Sequence, residues 1–148
     1  MTDRSVAHGT FVLELTYPAS PARVFKSWSD PAAKSKWFGD GTPAQEFDFR
    51  VGGRELAAAG EGDNQFVFDV RYEDIVENNR IIYTYYMIMG GKRISVSVAA
   101  VELFAEGTGT RLVVTEHGCF LDGLDTMDQR KRGTSDLLDA LGRALAQD

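Results

Sequence analysis

The side chains of this sequence that are best placed to do chemistry begin with a glutamate in a stretch of alternating apolar residues. Glu116 shares one face of a predicted strand with Leu112 and Val114, so it points inward if they do. A carboxyl group in an apolar pocket has a raised pKa and can donate or accept a proton. The alternatives are an ion pair with Arg130 or Lys131 near the end of the chain, or a position where the strand reaches water.

Glu55, which follows a Gly-Gly pair, has the same alternatives, and we expect it nearer the rim of a cavity than Glu116. Two acids beside one cavity are an arrangement that acid–base catalysis uses. Tyr83, in a later stretch of alternating residues, would add a hydroxyl group. Glu116, Glu55 and Tyr83 are therefore the candidate catalytic residues, but no reaction can be named from them.

Other catalytic and metal chemistry finds little support in the sequence. His117 points to the face opposite Glu116, and His8 lies far from it in the chain, so the two lack metal-ligand spacing. Cys119 is the only cysteine, which excludes an internal disulfide and a thiolate cluster. No phosphate-binding glycine loop or dinucleotide fingerprint is present. We expect neither a metal nor a cofactor.

The bulk composition is typical of a single soluble domain covering residues 1–148, with 43% hydrophobic and 26% charged residues. A net charge of −6 argues against nucleic acid as the main partner. No apolar run is long enough to insert in a membrane, and the polar first ten residues lack a signal region. We therefore expect a cytoplasmic protein in which residues 1–9 form a flexible leader.

The elements that must position the candidate residues follow from hydrophobic periodicity. A strand is predicted over residues 11–16, and Ser20 and Pro21 then begin a short helix. A second short helix covers residues 32–38. Period two continues from residue 45, first over residues 45–51, and gives about six further strands separated by turns. Ala99 and Ala100 shift the phase of this alternation, which predicts a β-bulge.

A long helix over residues 126–146 is the last element, and Thr126 and Gln129 have capping-box spacing at its start. Its C-terminal half carries leucines at helical spacing, whereas the same stripe is polar in the N-terminal half. We infer that the leucine half packs into a core and that the polar half covers a cavity. The order of elements predicts an α+β fold with helices on one face of an antiparallel sheet.

Several segments in this order resemble one known family. They read YPASPARVFKSWSDPAAKSKWFG, FDFRVGG, RIIYTY and GTRLVVTEHG, followed by the final helix. The chain is similar to the Hsp90-ATPase-activator-homologue family of the START-like, Bet v 1-like superfamily (SRPBCC). The resemblance implies a helix-grip fold, in which a curved antiparallel sheet of about six or seven strands wraps around the long C-terminal helix above an apolar cavity. Superfamily members bind hydrophobic small molecules, catalyse cyclisation or assist chaperones, so the fold alone does not determine the function.

Two positions depart from the family pattern. Glu55 stands where the family usually has an aromatic residue, and Thr134 follows Gly133 where a tryptophan is frequent. Both departures remove bulk near the expected cavity, and the first adds a carboxylate. They predict a pocket that is roomier or more polar than is usual in the family.

The first functional hypothesis is a carrier or sensor that binds a small hydrophobic molecule, such as a lipid, a polyketide or an aromatic compound. The first alternative is an enzyme of the polyketide cyclase type, and the second is a co-factor of an Hsp90-type chaperone. The oligomeric state does not follow from the sequence. The predicted ligand-binding residues are Trp37, Phe49, Glu55, Phe66, Phe68, Tyr83, Tyr85, Val98, Glu116, Met127 and Thr134.

Overall fold

The structure is a computed structural model that describes residues 4–39, 41–60 and 65–147. Its elements follow the predicted order of a strand, two short helices, further strands and a long final helix. In chain order they are β1 (Val6–Tyr17), α1 (Pro21–Ser29), α2 (Pro31–Ser35), β2 (Glu46–Phe47), β3 (Arg54–Ala59), β4 (Phe66–Val76), β5 (Arg80–Met89), β6 (Lys92–Glu106), β7 (Gly109–Leu121) and α3 (Met127–Gln147).

The strands of the described residues form one antiparallel sheet in the order β1-β7-β6-β5-β4-β3-β2. The first strand lies beside the last, and every other pair of neighbours is consecutive in the chain. Register shifts interrupt the β4–β5 ladder between Tyr72 and Asp74, and the β5–β6 ladder between Met87 and Ile88. Bulges of this kind bend and twist a sheet. The predicted α+β fold, a curved antiparallel sheet with a long C-terminal helix, is confirmed.

The C-terminal half of α3 is packed into the core. Leu138, Leu141 and Leu145 are buried in the same cluster as the inward residues of β7. The hydroxyl of Tyr17 in β1 donates a hydrogen bond to the Leu138 carbonyl at 2.8 Å. The Tyr17 ring also lies so close to Gly142 that an added Cβ would come within 3.2 Å of it. This half of the helix is therefore sealed against the sheet.

Both predicted helix starts are confirmed by their caps. The Ser20 side chain accepts a hydrogen bond from the Arg23 N–H at 3.2 Å, and Pro21 takes the first helical position. At the start of α3, the Thr126 hydroxyl accepts from the Gln129 N–H at 3.1 Å. Each cap satisfies a backbone donor that the helix leaves without an internal partner.

The structure corrects three predicted extents. Residues 6–9 of the predicted leader belong to β1 and pair with residues 118–121, whereas residues 1–3 lie outside the described part. The strand predicted over residues 45–51 shrinks to β2, because the chain turns where the Gly53 N–H donates to the Arg50 carbonyl. The helix predicted to reach Phe38 ends at Ser35, where the backbone tightens into three-residue hydrogen bonds.

The bulge predicted at Ala99 and Ala100 is wrong, because β6 pairs with both neighbours through these residues without a shift. The shift in the β5–β6 ladder instead lies at Ile94, so Ile94 and Ser95 are both buried. From Ser95 to Val98 the inward and outward faces are therefore the reverse of those predicted, whereas Val101 and Leu103 are buried on the inward face. Val98 consequently points to the outer face of the sheet and is 37% exposed.

Replacing Leu141 with alanine should lower the free energy of unfolding by about 2–5 kcal/mol, because it removes a fully buried side chain and leaves a cavity. Leu124→Ala is the matched control, since this leucine is 36% exposed, and its cost should stay below about 1 kcal/mol. Urea unfolding of both variants gives the comparison. Equal losses would contradict the packing described for the C-terminal half of α3.

Candidate functional site

A cavity of about 650 Å³ lies between the sheet and the N-terminal half of α3. Its helix side is polar where the leucine stripe is interrupted, as the sequence predicts. The helix contributes Gln129, Arg130, Arg132, Gly133, Thr134, Asp136, Leu137 and Leu138. The sheet side is aromatic and aliphatic, and β4 and β5 contribute Phe66, Phe68, Val70, Tyr72, Tyr83, Tyr85, Met87 and Met89.

Most of the predicted ligand-binding residues line this cavity. They are Trp37, Phe66, Phe68, Tyr83, Tyr85, Glu116 and Thr134. The structure therefore brings together residues from α3, from three strands and from the segment after α2. Their ability to bind a ligand stays a prediction, but their common position is a property of the fold.

Four predicted residues, Phe49, Glu55, Val98 and Met127, do not line this cavity. Phe49 packs edge-on against Tyr72, with ring centroids 4.9 Å apart, because the chain turns after β2. Val98 faces the outside of the sheet, as a result of the shift at the start of β6. Met127 covers Gly9 of β1, where an added Cβ would lie 2.7 Å from the Met127 side chain. These positions correct the predicted site.

Arg130 is the centre of a buried polar network on one wall of the cavity. One of its terminal nitrogens, Nη2, donates to Asp125 at 2.6 Å and to Ser95 at 2.7 Å. The other, Nη1, donates to the Tyr85 hydroxyl at 2.9 Å and lies 3.4 Å from Glu116 Oε2. Charge-assisted hydrogen bonds to two carboxylates fix the guanidinium group.

Sequence analysis predicted Arg130 only as one of two possible ion-pair partners of Glu116. The structure shows the Arg130–Glu116 ion pair. Glu116 is 2% exposed and also accepts a hydrogen bond from the Tyr85 hydroxyl at 2.9 Å. Burial raises the pKa of the Glu116 carboxyl above its ordinary value, while the Arg130 charge and the hydrogen bonds to the carboxylate oppose that rise. Burial also raises the pKa of Tyr85.

Glu55 does not line the large cavity, which corrects its predicted place at the rim. It is 1% exposed and accepts hydrogen bonds from the Lys34 ammonium at 2.6 Å and from the Tyr72 hydroxyl at 2.5 Å. Burial, followed by the Glu55 charge, raises the pKa of Tyr72. Because Lys34 and Tyr72 themselves line the cavity, Glu55 acts on its wall only through them.

Lys34 was missed by sequence reasoning, although a signal for it exists. It precedes Trp37 by three residues and Phe38 by four, which is the spacing of side chains on one helix face. In the structure its ammonium lies 4.7 Å from the Phe38 ring centroid. A lysine in this position is buried among aromatic rings and paired with an acid, rather than solvated.

Tyr83 is a half-buried residue whose hydroxyl group is not committed to a protein partner. Its ring lies between those of Tyr72 and Tyr85, with centroid distances of 6.2 and 5.8 Å. Burial raises its pKa well above the ordinary value, and the charges of Glu116 and Glu55 add to the rise. Within the described residues its hydroxyl makes no hydrogen bond. It therefore presents a neutral group to the cavity that can donate or accept a hydrogen bond.

The described residues contain no cluster of three or more histidine, cysteine, aspartate or glutamate side chains that is suited to a metal ion. His117 is on the outer face of the sheet, where its ring meets the Thr10 hydroxyl at 3.0 Å. Cys119 lies on the same face, with its sulfur 3.8 Å from His8 Nδ1. Neither histidine reaches the cavity.

Comparison with known proteins gives the chain its relatives. A family model described as activator of Hsp90 ATPase homolog 1-like protein matches residues 18–146. Among solved structures, protein Mll3558 from Rhizobium loti is 43% identical, covers 95% of this chain and 99% of its own, and has a TM-score of 0.87. A protein from Rhizobium leguminosarum is 41% identical, covers 99% and 100%, and has a TM-score of 0.91.

A more distant structure shares the fold. CalU16 from Micromonospora echinospora is 20% identical over 97% of this chain and 85% of its own, with a TM-score of 0.66. No curated protein matches the chain. None of the helices in the described part of the chain has the length and apolar character needed to cross a membrane.

Replacing Arg130 with methionine should lower the free energy of unfolding by about 3–5 kcal/mol, because it leaves Glu116 and Asp125 without their buried cation. Arg132→Met on the exposed side of the same helix is the matched control, with an expected cost below about 1 kcal/mol. Denaturant unfolding measures both. A loss at Arg130 no larger than the loss at Arg132 would contradict the role given to the network.

The raised pKa of Glu116 makes its contribution to stability dependent on pH. The folded chain holds this proton more tightly than the unfolded chain, so the contribution falls as pH rises above the ordinary value of 4.5. Glu116→Gln removes the titration. The free energy of unfolding of the variant minus that of the wild type should therefore increase from pH 4.5 to neutrality, by about 1.4 kcal/mol per unit of raised pKa.

Urea unfolding of both proteins across that pH range tests this expectation. A difference between variant and wild type that stays constant, or that decreases as the pH rises, would show that Glu116 does not have a raised pKa in the folded protein.

Proposed function

We propose that this chain, which belongs to the activator of Hsp90 ATPase homolog 1-like family, binds a small and mainly apolar molecule between α3 and the sheet, as a carrier or sensor. The observation that carries the proposal is the cavity of about 650 Å³ beneath the polar half of α3. Pockets for small molecules typically enclose roughly 300–1,000 Å³. The cavity is therefore the right size for a ligand of one to a few rings.

The character of the wall supports an apolar ligand with one polar end. Phe68, Tyr85 and Met87 offer an aromatic and aliphatic surface on the sheet side. The free hydroxyl of Tyr83 lies within this surface, and Thr134 faces the cavity from the helix. Apolar walls with a few placed polar groups are the usual composition of small-molecule sites. The apolar part contributes affinity and the hydroxyls orient the ligand.

The sequence of α3 supports a binding site rather than an unfinished core. The helix changes from buried leucines to Arg130, Gly133 and Thr134 at the point where the cavity begins. Thr134 occupies the place where a large aromatic side chain would fill part of the space. A small side chain there keeps volume open that the packing density of a protein interior would otherwise remove.

The positions of the two predicted acids, Glu116 and Glu55, fit a binding role better than a catalytic one. The Glu116 carboxylate already pairs with Arg130 and Tyr85, and Glu55, the second predicted acid, is bound by Lys34 and Tyr72 and does not line the cavity. A pair of acids formed by these two residues is therefore not available to a ligand in the cavity. The cyclase-like and chaperone-related roles stay predictions.

Filling the cavity should weaken binding without unfolding the protein. Thr134→Trp places a large ring in the space, and we expect it to weaken binding of the neutral dye Nile red by about tenfold or more. Val98→Trp is the matched control, because the same ring is added on the outer face of the sheet. Fluorescence titration measures affinity, and thermal unfolding checks that a bound dye stabilises the native state.

Equal weakening by the two substitutions, or unchanged binding to a cooperatively folded Thr134→Trp protein, would place the dye outside the cavity. Either result would remove the support for this proposal.

A further inference from the structure

We propose that the ligand is an uncharged aromatic or polycyclic molecule with a hydroxyl or carbonyl oxygen directed at Tyr83, and that the cavity discriminates against carboxylates. This inference rests on the proposed function and narrows it to a chemical class. Two observations lead to it. The buried charges of the cavity wall already have partners in the protein, and Tyr83 is the one tyrosine among the described lining residues whose hydroxyl makes no hydrogen bond.

Arg130, the buried arginine of the cavity wall, has its positive charge neutralised by acidic neighbours. Arg130 lies against two carboxylates, with Nη2 at 2.6 Å from Asp125 and Nη1 at 3.4 Å from Glu116. The hydroxyls of Ser95 and Tyr85 accept further hydrogen bonds from the same guanidinium group. A carboxylate arriving from the cavity would have to compete with these two carboxylates for the charge of Arg130.

Of the other two lining cations, one is paired with an acid and one is exposed to water. Lys34 is paired with Glu55 at 2.6 Å, inside a ring of aromatic side chains. Arg132 lines the mouth of the cavity but is exposed, so its charge is hydrated rather than buried in the wall. Among the lining residues, the cations Lys34, Arg130 and Arg132 are equalled in number by the anions Glu116, Asp125 and Asp136.

An anionic ligand inside the cavity would consequently lose water without meeting a buried cation that lacks an anionic partner. Burial of a charge without a partner costs far more than burial of a hydroxyl or carbonyl that keeps a hydrogen bond. A neutral oxygen finds that bond at Tyr83, whose hydroxyl both donates and accepts. The balance of free energy therefore favours the neutral ligand.

The sheet wall favours an aromatic skeleton for that oxygen. Tyr83 has ring neighbours on both sides, Tyr72 at 6.2 Å and Tyr85 at 5.8 Å, and Phe68 lies 6.3 Å from Tyr85. Aromatic rings prefer offset and edge-on contacts at such separations. A flat ligand lying on this row of rings places a substituent oxygen beside the central tyrosine.

The test compares naphthol and naphthoate, which share a skeleton and differ in charge at neutral pH. Isothermal titration of the whole protein should give naphthol an affinity about tenfold or more above that of naphthoate. Tyr83→Phe should reduce naphthol affinity by about fivefold to tenfold and leave naphthalene unchanged, because only the oxygen loses its partner.

Glu116→Gln gives the opposite change of preference. It keeps the size of the side chain but removes one of the two negative charges on Arg130, so naphthoate should gain affinity relative to naphthol. Both variants are single-atom or isosteric replacements, and thermal unfolding reports whether each remains folded. If Glu116→Gln does not fold, Asp125→Asn takes its place, because it removes the other negative charge from Arg130.

Naphthoate binding as tightly as naphthol, or tighter, overturns the inference and leaves the proposed function standing. Unchanged naphthol affinity in a folded Tyr83→Phe variant has the same consequence. Failure of Nile red, naphthol and naphthoate alike overturns the proposed function itself. Preference for naphthol that is lost in Tyr83→Phe supports both.

Discussion

The structure depends on the way in which the two halves of one helix are held against the sheet. Toward its C-terminus, α3 is fixed by buried leucines and by the hydrogen bond from Tyr17 to the Leu138 carbonyl. Toward its N-terminus it is fixed by Arg130, whose long side chain reaches Glu116 of β7 and the Tyr85 hydroxyl of β5. A side chain that spans a gap holds the helix in place without filling the space beside it.

This constraint explains why a cavity coexists with a stable fold. Apolar packing would close the space, since interiors tend towards dense packing. A buried ion pair instead needs its partners at hydrogen-bond distance and penalises their separation strongly. The same constraint settles the chemistry of the wall, because Arg130 and Lys34 are used to hold the structure together. Tyr83 is left as a neutral group that faces the interior and has no partner among the described residues.

Much of this was predictable from the sequence, for physical reasons that differ between elements. Helix starts at Ser20 and Thr126 have short-range caps, and the leucine stripe of α3 marks its buried half, so local patterns sufficed. The inward face of the first part of β6 was not predictable, because a bulge at Ile94 reverses the alternation of buried and exposed residues there and leaves Val98 on the outer face. Glu55 was misplaced because its partner, Lys34, comes from a helix distant in the chain.

A crystal structure of the protein under xenon pressure tests the central claim most directly, because xenon occupies apolar cavities without requiring knowledge of the ligand. We expect xenon between Phe68, Tyr83 and Leu137, with the Arg130 network intact beside it. Absence of xenon from this region, with the N-terminal half of α3 in direct contact with the β4 and β5 side chains, would contradict the existence of a ligand cavity under the helix.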